Sequence, residues 1–261
     1  MNRLSGWLSC AAVCTATVLL ISCGSGTNQS AVPASSGATA PAATPIDSAT
    51  AGSVSGKVTF EGTPPAPQPI KLSSDPFCES ANSGLTTETE MVGANGVMGN
   101  VFVYVKDGLG SRTFAPPSDP VTLDQKGCRY TPHVIGIQAG QPLQVINSDN
   151  TLHNVHGLAK ANKEFNAGQP IQGMKMTHTF STKEVMVPFK CDVHSWMNAW
   201  VGVLDHPYYS VSGPDGTFSL KGLPPGTYTI EAWHEKLGTQ TQMVTIGEKE
   251  AKDVAFTFKG A

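Results

Sequence analysis

Charge is what this 261-residue sequence has least of: Asp, Glu, Lys and Arg make up 14% of it. The 17 basic and 20 acidic residues leave a formal net charge of −3, and Lys and Arg gather into no cluster. Nucleic acid is thereby excluded as a partner, because phosphate backbones are held by concentrated positive charge. The sequence also lacks the long apolar runs of a polytopic membrane protein and any convincing amphipathic helical pattern. Whole-chain disorder is excluded on the opposite ground, since 39% of the residues are apolar and can bury a core. Turn formers are abundant: 27 Gly and 19 Pro make the chain rich in bends and poor for long helices. Six cysteines complete the inventory, and an even number fits either a disulfide framework or several separate uses.

At the N-terminus, Arg3 precedes a short apolar run from about Trp7 to Ile21, which ends in Leu20-Ile21-Ser22-Cys23. One basic residue followed by a short apolar run reads as a secretory signal, too short to stay as a membrane-spanning helix. Its ending resembles the lipobox of bacterial lipoproteins. That resemblance implies a signal peptide over residues 1–22, a lipid on Cys23, and an exported chain anchored on the periplasmic or cell-surface side of a bacterial membrane. The alternative is an ordinary signal peptide with a chance cysteine. Residues 23–53 are almost entirely Ser, Ala, Thr, Gly and Pro, with Asp47 their only charge, and are expected to form a disordered tether.

From Ser55 onward, short runs of β-branched and aromatic residues alternate with Gly, Pro, Asn and Asp. Val101, Val103 and Val105 interleave with Phe102 and Tyr104; Leu143 to Asn147, Val185 to Phe189, Trp200 to Leu204 and Tyr228 to Trp233 follow. Such runs predict an all-β chain built as sandwiches or barrels. The stretch Val211 to Leu220, with its Pro214-Asp215-Gly216 turn, and Leu223-Pro224-Pro225-Gly226 leading into Tyr228 resemble the second half of a carboxypeptidase regulatory-like (transthyretin-like) sandwich. Ser55 to Gly62 and Asn100 to Val105 resemble its opening strands. The implied organisation is a discontinuous outer sandwich, 54–119 and 206–261, with a second domain inserted at 120–205. Two tandem domains would give much the same local pattern.

Within that insert lie His153-Asn154-Val155 and, 38 residues after His153, Cys191-Asp192-Val193-His194-Ser195-Trp196-Met197. One thiolate, two imidazoles and a thioether are soft and borderline donors that suit copper, and two His and a Cys with a weak Met describe an electron-transfer centre. The C-x2-H-x2-M spacing lets one tight loop turn Cys191, His194 and Met197 onto one ion, while His153 closes the site from a distant strand. About ninety residues resemble a cupredoxin: Val134 to Asn147 with His153-Asn154-Val155 is similar to plastocyanins, and the ligand loop has the spacing of amicyanin. The resemblance implies a Greek-key sandwich holding one type 1 copper by His153, Cys191, His194 and Met197. It makes Asn154 the tie between the two ligand loops, and places His194 at the surface in an apolar patch with Trp196 and Ala199. Asp192-Val193 departs from the hydroxyl residue and proline that usually follow the cysteine in amicyanin-like loops.

Four filled positions imply single-electron carriage rather than catalysis, with redox proteins as partners, a c-type cytochrome or a membrane oxidoreductase. A copper nitrite reductase would need a second, open copper with several histidines, and no such cluster is visible. Copper sequestration or delivery, and a metal-free carbohydrate- or protein-binding sandwich, are the competing readings. Cys78 and Cys128, both in turn-like contexts of an exported chain, are expected to pair as a disulfide. If residues 153–156 are extended, His156 faces away from His153. His133, His178, His206 and His234 are expected at the surface or in local hydrogen bonds, and Trp200 and Trp233 in a core or between domains.

Overall fold

The computed structural model describes residues 43–89 and 91–260. The signal segment, Cys23 and most of the tether lie outside these residues. The chain opens with strand β1 (Gly52–Glu61), the short helix α1 (Pro76–Ala81) and β2 (Phe102–Asp107). Next come β3 (Val121–Gln125), β4 (Tyr130–Thr131), β5 (Val134–Gln138), β6 (Pro142–Asn147) and β7 (His153–Gly157). They are followed by β8 (Phe165–Gln169), β9 (Lys175–Thr179), β10 (Glu184–Lys190) and β11 (Asn198–Leu204). The chain closes with β12 (Tyr209–Val211), β13 (Thr217–Leu223), β14 (Gly226–His234), β15 (Gly238–Ile246) and β16 (Ala251–Lys259).

Pairing divides these strands into two groups. β1 lies between β13 and β16, and β2 and β14 form the middle of the sheet β12-β2-β14-β15. These two sheets enclose one core, with Val54, Val58, Val103, Ile230 and Phe256 in it. Strands from residues 121–204 pair only among themselves, as β5-β11-β10-β7-β8 and β4-β3-β6-β9. Their shared core includes Leu123, Val145, Val155, Phe189 and Val201. The parallel pairs β3/β6 and β5/β11 join strands that are not successive in the chain, as in a Greek key. The class is all-β, as the punctuated runs predict.

Alternation along β2 explains how the groups meet. Side chains two apart share a face, so Val103 and Val105 enter the outer core while Phe102 and Tyr104 point the other way. There they pack with Val134, Met186 and Leu204. Gly136 of β5 and Gly202 of β11 are register partners. A Cβ on Gly136 would sit 2.2 Å from the Tyr209 ring, and one on Gly202 would sit 2.4 Å from Phe102, so this contact requires glycine. Trp200 and Trp233 meet at its edge with ring centroids 5.0 Å apart, and Glu235 accepts hydrogen bonds from Trp200 Nε1 and His133 Nε2.

Histidine placement corrects one expectation. His133, His206 and His234 are all buried rather than at the surface, and each reaches a partner distant in sequence: Glu235, the Val105 carbonyl and the Thr89 carbonyl. His178 is half-buried, its ring stacked 3.9 Å from Phe165.

His206 carries a pH prediction. Its Nε2–H donates to Val105 O at 2.9 Å and its Nδ1 accepts from the Tyr208 amide at 3.2 Å, so a second proton has no acceptor. Burial, with nearby Lys183 acting in the same direction against the pull of Asp205, brings its pKa down to about 4. An unfolded histidine titrates near 6.5, so between these values the unfolded chain binds more protons and stability rises with pH. The contribution is complete above about pH 6.5 and is lost toward pH 4, amounting to about 3 kcal/mol at most. Urea titrations of the parent and His206→Gln over that range check it; equal pH slopes would refute the assignment.

Candidate metal centre

The site is built where β7 begins and where β10 turns into β11. His153 is the first residue of β7, and Cys191, His194 and Met197 occupy the turn between Lys190 and Asn198. That turn is closed by backbone hydrogen bonds from Cys191 N to Met197 O (3.1 Å) and from Met197 N to His194 O (2.9 Å). The His194 amide donates to Cys191 Sγ at 3.3 Å. All four side chains are buried, His153 completely, and Met197 packs in the same core cluster as Cys191.

Geometry brings the three strong donors together. His153 Nδ1 lies 3.0 Å from His194 Nδ1, which is 3.9 Å from Cys191 Sγ, and one atom from each residue falls within 4.8 Å of the others. Atoms bound about 2.0–2.3 Å from a shared ion have spacings of this size. The far nitrogens are spoken for: His153 Nε2 faces Asp149 Oδ2 at 2.8 Å, and His194 Nε2 faces Asp75 Oδ2 at 3.0 Å. A carboxylate can only accept, so each Nε2 carries a proton and each Nδ1 is turned inward. Two Nδ1 atoms 3.0 Å apart beside a sulfur need either a proton or a metal cation among them. The residues therefore fit a bound metal, and the donor types fit copper.

Electrostatics points the same way. Burial pushes the Cys191 thiol up, but the His153 and His194 side chains and the His194 and Asn154 backbone hydrogen bonds outweigh it and bring the thiol down to about 6. A thiolate is the form that binds a metal. Asp149 also resists burial, its carboxyl held below the usual range by His153 and by the Cys128 and Gly127 amides.

The supporting residues are as ordered as the donors. Asn154 Oδ1 accepts from the Asp192 amide at 3.0 Å, linking the residues that follow His153 and Cys191. The Tyr130 hydroxyl lies between the carbonyls of Asn154 and Lys190, against both ligand strands. His156 turns outward to Asp192 and Glu164.

Asp75, Asp149 and Tyr130 are absent from the sequence-based site. Asp149 lies four residues before His153, but only folding shows which way it points. Asp75-Pro76 carried a usable signal, because an acidic residue before proline is a helix start. Asp75 caps α1 through the amides of Phe77 and Cys78, so Cys78 sits on a helix rather than in a turn. Cys78 is disulfide-bonded to Cys128, whose amide holds Asp149. The two carboxylates behind the two imidazoles are thus joined through one disulfide.

That arrangement corrects the expected surface. His194 is 2% exposed, covered by Asp75 and by Cys78, whose sulfur lies 3.8 Å from Nε2. Ala199 is buried in the core, and Trp196 is half-buried, its ring centroid 4.9 Å from that of His194. Among the described residues, the exposed apolar side chains nearest the donors in sequence are Leu152 and Val193.

No protein-family model matches the chain, and no curated protein sequence matches it. Several solved structures are similar to part of it. A copper-containing nitrite reductase from Thermus scotoductus SA-01 aligns with 38% of this chain at 19% identity and a TM-score of 0.32, and the alignment spans 25% of the reductase. A purple cupredoxin from Nitrosopumilus maritimus aligns with 29% of this chain and 81% of its own at 24% identity, with a TM-score of 0.26. A copper(I) form of an amicyanin mutant aligns with 39% of this chain and 97% of its own at 20% identity, with a TM-score of 0.29. Over two-fifths of its length or less, the chain is similar to these copper proteins.

Proposed function

We propose that this chain holds one type 1 copper and carries single electrons between redox proteins. The observation that carries the reading is the convergence of His153 Nδ1, His194 Nδ1 and Cys191 Sγ in one buried place, the two nitrogens 3.0 Å apart. When bound, copper supplies a one-electron couple between its cuprous and cupric states. His153, Cys191 and His194 serve as the strong ligands and Met197 as the weak one. Asp149, Asp75, Asn154 and Tyr130 fix the ligand side chains and strands, so little rearranges as the charge changes. Water is kept out by the burial of all four ligands.

The same burial favours carriage over delivery, since a delivery site must surrender its ion to a partner's ligands. Four protein donors leave no evident place for a substrate, and the chain is proposed to be a carrier rather than an enzyme. The outer strands form a transthyretin-like sandwich into which the copper-binding sandwich is inserted. The whole is exported and tethered through a lipid on Cys23, with a cytochrome or membrane oxidoreductase as partner.

The test uses chain beginning at Gly24, loaded with copper(II). One copper per chain and an intense thiolate-to-copper visible band are expected, with the band lost in Cys191→Ser. A colourless parent that retains no copper after desalting would overturn the proposal.

A further inference from the structure

We propose that the electron enters and leaves this site through the ring of Trp196, at the cleft between the ligand loop and residues 85–89. The inference rests on the copper-carrier reading and deepens it.

Three of the four donors have no direct route outward. His194 lies beneath Asp75 and Cys78, and His153 backs onto Asp149, which is itself buried. Cys191 is buried in the core; Met197, the weak donor, is also buried but borders the cleft and offers no conjugated ring. Trp196 is different: its conjugated ring lies against that of His194, with centroids 4.9 Å apart and planes inclined at 36°. It also lines a cleft together with Met197, Asn198, Ile70 and Leu85. The Trp196 Nε1–H donates to Cys128 O at 3.0 Å, which fixes the ring in this position. An aromatic ring held between a ligand and an open wall is the medium that couples them, with no rearrangement needed at the moment of transfer.

The cleft is suited to approach by either sign of charge. Arg129 is paired with Glu88 at 3.0 Å, and His133 is paired with Glu235 at 2.6 Å, so its charged groups compensate one another. Val193, 46% exposed in the same loop, is the competing surface, but it offers no conjugated ring.

Two inorganic probes test this on the copper-loaded protein. Hexacyanoferrate(III) takes one electron from the cuprous protein and becomes hexacyanoferrate(II); hexaammineruthenium(II) gives one electron to the cupric protein and becomes ruthenium(III). Trp196→Leu is expected to slow both by about tenfold, while Trp196→Phe stays near the parent. Copper stoichiometry and the visible band should match the parent in both variants. Thr87→Trp, which puts a bulky ring at another residue lining the cleft and leaves Trp196 intact, should also slow both probes. This second variant decides the matter if Trp196→Leu loses its copper. A parent that binds no copper overturns the carrier reading and this one together. A copper-loaded parent whose rates are unchanged in Thr87→Trp and in any copper-retaining Trp196→Leu overturns this one alone, as does slowing confined to Val193→Ser.

Discussion

Replacing Cys78 and Cys128 together by serine is expected to lower stability by about 4 kcal/mol, from the entropy of leaving a 50-residue loop unclosed in the denatured chain. For a folded body of this size, the loss corresponds to a fall of about 10 °C in melting midpoint. Both sulfurs are completely buried, against Leu72 and Leu85, so the serine hydroxyls would also enter an apolar cluster without their usual hydration. The effect extends to the metal centre. Cys78 lies on the helix that Asp75 caps, and Cys128 supplies an amide to Asp149, so both carboxylates lose a restraint when the bridge is cut. Copper should be removed faster by a chelator from the double variant than from the parent. Calorimetry and chelator-challenge kinetics check the two parts, and a double variant with parental midpoint and copper loss would refute the clamp.

Asp149→Ala should produce the largest loss at a single position outside the four donors. The carboxylate accepts from Gly127 N, Cys128 N and His153 Nε2, each at 2.8 Å. Removing it leaves these donors without their acceptor in a largely buried setting, at about 1–3 kcal/mol for each group that water cannot reach. His153 is also freed to turn, and residues that orient a metal-bound imidazole are commonly worth about 10- to 100-fold in metal affinity. Asp149→Asn keeps one acceptor oxygen and should fall between parent and alanine. Asp75→Ala should cost less in stability, because Asp75 is only partly buried. Copper competition titrations and urea unfolding give both quantities. Parental affinity in Asp149→Ala would show that His153 is oriented by the core alone.

Strands were legible because their information is local. The β-branched and aromatic run of β2 and the turn residues between strands announce sheet without reference to the rest of the chain. The donors were legible for a related reason: three of them fall within seven residues, and their chemistry is unusual in combination. Asp75 could not be found this way, since it meets His194 across 119 residues of sequence. The burial of His133, His206 and His234 was equally hidden, because an imidazole suits water or a polar partner and only tertiary contacts choose between them. Met186 is a further case. It adopts a φ of 63° at a register shift in β10, a bulge in a segment that reads as a plain strand.

The pairing of β1 with β16 has a consequence for the order in which this protein acquires its structure. Ser53 is in register with Ala251 and Glu61 with Lys259, so the first described strand finds this partner only in the last. Every strand pair of the half that carries the four candidate donors, by contrast, lies within residues 121–204. Contacts that close long loops form late, after shorter ones have repaid their entropy. The half with the candidate donors is therefore expected to gather first, with the outer strands sealing around its two ends once the C-terminal strand arrives. A chain cut short by one strand at its C-terminus would keep every copper donor yet leave β1 with an unpaired edge, turning a small deletion into an aggregation hazard.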